Sequence, residues 1–130
     1  MELETGAAGI FRELHATVVP VRDMAAARRW YENVLGFTPE KVFGEFLAVY
    51  GTGGPTRLCL YAHEPDPEHA DQGTFPNWRA DDIDATREYL VERGVECSEV
   101  SPGDELSWFS FRDPDGNRLD VCEYGPSWLS

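Results

Sequence analysis

The spacing of hydrophobic residues changes period along the chain twice, in the same order each time. From His15 to Val21 the pattern is extended; then Met24, Ala27, Tyr31, Val34 and Leu35 recur at helical spacing. From Thr74 to Ala80 it is extended again, and Ile83, Thr86, Leu90 and Val91 repeat the helical spacing more weakly. Each helical stretch opens on an aspartate suited to cap it, Asp23 in the first and the Asp81-Asp82 pair in the second. Each closes at a glycine, Gly36 or Gly94, suited to the left-handed residue that ends a helix. Three β-like stretches follow each helix, the last two forming a hairpin. Glu45–Tyr50 and Thr56–Ala62 flank the turn Gly51-Thr52-Gly53-Gly54-Pro55; Leu106–Arg112 and Arg118–Tyr124 flank Asp113-Pro114-Asp115-Gly116-Asn117.

An internal repeat of this kind predicts an α+β protein of two tandem βαβββ modules. The expectation is of curved mixed sheets, each with one helix outside, whose concave faces meet around a cleft. Module one spans about residues 13–62 and module two about 74–124, within a single domain of residues 1–130. The stretch 63–73, HEPDPEHADQG, is polar, contains Pro65 and Pro67, and reads as a linker. Trp30 and Trp78 read as core beside their helices, and the tail PSWLS either docks through Trp128 or frays.

Composition narrows the function classes. A net charge of −13 argues against nucleic acid, whose phosphates need Lys and Arg to displace counterions, and against anionic membrane surfaces. It favours solubility and mildly favours a cationic ligand. No apolar run approaches the roughly 20 residues of a membrane helix. The acidic start MELETGAAGIFREL lacks the features of a signal peptide, so a cytoplasmic location is expected. Cys59, Cys97 and Cys122 are odd in number and form no CxxC pair, which suggests buried reduced thiols.

The stretches VPVRDMAAARRWYENVLGF (Val19–Phe37), WRADDIDA (Trp78–Ala85) and FRDPDGNRLDVCEY (Phe111–Tyr124) resemble the vicinal oxygen chelate superfamily of glyoxalases, bleomycin-resistance proteins and extradiol dioxygenases. The resemblance covers about Glu13 to Tyr124 and implies the βαβββ fold, a small-molecule site in the cleft and homodimers. It specifies no reaction. Metal-using relatives imply ligands at four positions, which here read Ala16, Cys59, Phe75 and Asp120. Alanine and phenylalanine offer no donor, and a Cys–Asp pair is too few ligands for a tight site. No metal is therefore expected. The alternative is a divalent metal held by His15, Cys59 and Asp120, which requires a bulge in the first strand to turn His15 inward. His63 and His69 lie in the linker and read as solvated.

Strand alternation places Val18, Cys59, Tyr61, Phe75, Asn77, Trp108, Ser110, Asp120 and Cys122 on the inner faces, a largely aromatic and apolar lining. Aromatics on a sheet face commonly serve as plain core, and buried thiols are commonly inert. Asp120 stands apart, because a carboxylate there is costly unless it is paired or functional. It is the candidate catalytic or ligand-contacting group; its structural alternative is an ion pair with Arg57 or Arg118. The leading expectation is a metal-free small-molecule-binding protein similar to the bleomycin-resistance branch, sequestering an aromatic or cationic ligand. The alternative is a glyoxalase-like lyase or isomerase, or a dioxygenase-type enzyme, using Asp120 with or without a metal.

Overall fold

The computed structural model describes residues 14–66 and 75–126. Its elements run β1 (Ala16–Val21), α1 (Met24–Asn33), β2 (Pro39–Phe43), β3 (Leu47–Tyr50), β4 (Arg57–Ala62), β5 (Asn77–Arg79), α2 (Ile83–Glu92), β6 (Leu106–Arg112) and β7 (Arg118–Tyr124). The seven strands form two mixed sheets, ordered β1-β4-β3-β2 and β5-β7-β6. In each sheet the strand before the helix pairs in parallel with the last strand, β1 with β4 and β5 with β7. The hairpin strands pair antiparallel.

Both helices start as the sequence predicts. Asp23 accepts a hydrogen bond from the Ala26 amide at 3.1 Å, and Asp82 one from the Ala85 amide at 3.1 Å. Each thereby satisfies one of the donors that a first helical turn leaves unpaired. Met24, Ala27 and Tyr31 of α1 and Ile83 and Leu90 of α2 are buried. Val91 is the exception to the expected spacing: it stands exposed on the outer side of α2.

The sequence and structure part in three places. Residues 44–46 turn, so the strand expected from Glu45 begins at Leu47. After α2 the third expected strand is reduced to two isolated bridges, Cys97 with Phe111 and Ser101 with Trp108. The intervening and following residues, Ser98 to Glu105, carry Pro102, Gly103 and three acids, which suit a ladder poorly. The third difference concerns which faces meet. Val19, Val21, Leu58, Leu60, Ala48 and Tyr50 of the first sheet share one core with Phe109, Phe111, Leu119 and Val121 of the second, with both helices packed into it. Trp30 of α1 touches Phe111, and Phe37 touches Trp78. The helix-bearing faces are therefore turned toward each other. The alternate positions, which were expected to line a cleft within or across subunits, face away from that core, and Val18, Tyr61 and Trp108 are exposed on them.

Polar contacts lock the two halves. The Tyr31 hydroxyl donates to Asp113 Oδ2 at 2.7 Å, and Asn117 Nδ2 donates to the Pro20 carbonyl at 2.7 Å. Asp113 also accepts from the Asp115 and Asn117 amides at 2.9 Å each. The DPDGN turn thus does more than reverse the chain. It ties the second hairpin to α1 and β1.

Candidate functional site

Outward-facing positions of the second sheet bring the strongest cluster of chemistry together. Alternation along β7 puts Arg118, Asp120 and Cys122 on this face; the register sets Ser110 and Asn77 beside Asp120, and Trp108 beside Cys122. Arg118 grips Asp120 with two parallel hydrogen bonds, Nε to Oδ1 at 2.8 Å and Nη2 to Oδ2 at 3.1 Å. Its guanidinium carbon lies 4.2 Å from the centre of the Phe75 ring and 5.7 Å from that of Trp108. A planar cation between two rings, held by a bidentate carboxylate, is a preorganised arrangement. Asp120 is 8% exposed, so its burial is compensated by pairing with Arg118, the second of the two partners considered from sequence.

The remaining candidates fall on the first sheet. Val18, Cys59 and Tyr61 occupy adjoining outward positions, with Val18 paired to Cys59 across β1 and β4. Tyr61 stacks on His63 with ring centres 5.4 Å apart. The structure thus gathers Phe75, Asn77, Trp108, Ser110, Asp120 and Cys122 on one sheet and Val18, Cys59 and Tyr61 on the other, the shared core lying between the two groups. The lining is also less apolar than expected. Lys41, Arg57, Arg79 and Arg112 face the same way as these candidates. Alternation applied to the charged positions, as well as the apolar ones, would have revealed them.

The thiols are poor nucleophiles. Burial pushes Cys59 and Cys97 up from the ordinary thiol value; for Cys122 burial again dominates over hydrogen bonds from Asn77 and Tyr124 that pull the other way. Among the described residues, no three His, Cys, Asp or Glu side chains gather to hold an ion. The donor set expected from the bulged first strand does not assemble within the chain. β1 pairs with β4 in unbroken register from Ala16 to Val21, and His15 precedes the strand at the alternation of Thr17 and Val19, opposite Ala16 and Val18. Cys59 and Asp120 lie on different sheets, and both oxygens of Asp120 face a guanidinium that would repel a cation. His69 and Trp128 lie outside the described residues.

A groove of about 710 Å³ runs from the start of β1 and β4 to β5, lined by Thr17, Arg57, Phe75, Asn77, Trp78 and Arg79 among others. A smaller pocket of about 300 Å³ sits beneath α2, between Phe37, Trp78, Tyr89 and Phe111.

Known proteins share this architecture. TnmS3, an antibiotic binding protein from Streptomyces sp. CB03234, superposes with a TM-score of 0.72 at 24% identity, over 89% of this chain and 98% of that one. Lactoylglutathione lyase from Agrobacterium tumefaciens does so with a TM-score of 0.66 at 19% identity, over 85% and 92%. At such identities the likeness establishes the fold. In sequence, the uncharacterized protein YraH of Bacillus subtilis (strain 168) is 26% identical over 78% of this chain and 90% of its own length. The family profile of the Glyoxalase/Bleomycin resistance protein/Dioxygenase superfamily matches residues 13–121, and the chain belongs to that superfamily.

Proposed function

We propose that this protein binds an aromatic small molecule on the outward face of its second sheet, without a metal, and sequesters it. The observation that carries the reading is the Phe75–Arg118–Trp108 arrangement anchored by Asp120. It offers ring surfaces for stacking and a fixed guanidinium for orientation, the combination small-molecule sites use. One fold relative binds an antibiotic and another is a lyase, so the fold does not choose between binding and catalysis. The side chains do. Asp120 is the acid or base that the enzymatic reading requires, and it is occupied by Arg118.

We read the chain as two βαβββ copies, the second with a degenerate edge strand, acting as a homodimer in the cytoplasm. Outward faces with exposed Val18, Tyr61 and Trp108 leave each site open on one side, and a second copy supplies the missing wall. Titration with a panel of planar aromatic compounds, followed by tryptophan fluorescence, should give saturable quenching that Trp108→Ala weakens about tenfold. Turnover of a hemithioacetal, or one transition metal per chain in protein purified without a metal-scavenging tag, would overturn the reading.

A further inference from the structure

The outward faces carry the opposite sign of charge from the chain as a whole. Lys41, Arg57, Arg79, Arg112 and Arg118 occupy outward strand positions, against Asp120 and the bulged Glu40. The chain itself has a net charge of −13. Basic residues concentrated on these faces, in so acidic a chain, point to a negative ligand.

The groove between β1, β4 and β5 is where that charge is available. Arg57 and Arg79 line it together with the rings of Phe75 and Trp78, and no Asp or Glu lines it among the described residues. Arg57 pairs with Glu40 at 2.9 Å and Arg79 with Asp81 at 3.0 Å, and these carboxylates are 46% and 96% exposed. Exposed pairs of this kind hold weakly, so an incoming anion exchanges with them at small cost. Arg118 differs, since buried Asp120 takes two of its five N–H donors and neutralises its charge.

We infer that the groove takes an aromatic anion, a planar ring bearing a carboxylate or phenolate, with the ring against Phe75 and Trp78 and the charge on Arg57 and Arg79. This rests on the small-molecule-binding reading and extends the site from the second sheet's outward face into the adjoining groove, with which it shares Phe75 and Asn77, reversing the cationic preference that net charge alone suggests. Calorimetric titration with three matched probes tests it: 2-naphthoate, 2-naphthamide and 2-naphthylmethylammonium. The carboxylate should bind on the order of tenfold tighter than the amide, and the ammonium more weakly than either. In the double variant Arg57→Gln/Arg79→Gln, naphthoate binding should fall by a similar factor. If that variant does not fold, the three-probe series on the unmodified chain decides. Equal affinities, or a preference for the ammonium, overturn the anion inference and leave the binding reading standing. Absence of binding by all three overturns the anion inference, while the fluorescence titration with the wider aromatic panel decides the binding reading separately.

Discussion

Tyr31 and Asp113 are 82 positions apart in sequence and joined by a 2.7 Å hydrogen bond in the core. Burial pushes the Asp113 carboxyl up from its ordinary value, against hydrogen bonds from Asn117 and Tyr31 that favour its charged form. Removing one of those donors leaves a buried carboxylate less well satisfied. Tyr31→Phe should therefore cost about 1.5–3 kcal/mol in urea unfolding, the range for hydrogen bonds to charged groups. Glu32 shows the opposite balance. Burial raises its pKa, but hydrogen bonds from Arg28 and Tyr50 outweigh burial and hold it below the usual carboxylate value. A depressed carboxylate stabilises the fold above its unfolded pKa, and that contribution is lost as pH falls through the folded one. Unfolding curves of Glu32→Gln should show a deficit at pH 7 that shrinks in acid.

At the scale of elements, the helix caps are the most legible features and the easiest to test. Asp23→Ala should lower stability by about 1 kcal/mol through loss of the bond to the Ala26 amide. Gly94 has φ +79°, where any side chain is strained, so Gly94→Ala should destabilise by about 1–2 kcal/mol in the same melts. The helices, both hairpins and the strand before each helix could be read from period and punctuation because each is encoded within a few residues. The edge after α2 could not. Its pairing depends on β6, and its residues, including Pro102 and Gly103, give little local preference. The candidate site was half legible. Alternation selected Phe75, Trp108 and Asp120 for one face, and the Asp120–Arg118 pair was foreseen as an alternative. Relative placement of the two sheets was not foreseen, because period identifies a buried face without naming what buries it.

For the whole molecule, the outward-turned faces predict association. Sedimentation velocity should give a mass twice that of one chain, and Tyr61→Glu, which places a charge on an exposed apolar position of β4, should shift it toward one. If the unmodified chain sediments as a monomer at all accessible concentrations, the site must be one-sided and the dimer reading fails. No described helix is long and apolar enough to cross a membrane.

Core and proposed site alternate along the same strands: Val18 beside Val19, Trp108 beside Phe109, Asp120 beside Val121. Inward neighbours hold the fold, and outward ones are largely released from that duty. Specificity can therefore drift while foldability is conserved. Libraries randomised at outward positions such as Val18, Tyr61 and Trp108 should retain folded members in high proportion, which makes the scaffold a ready starting point for evolving new recognition.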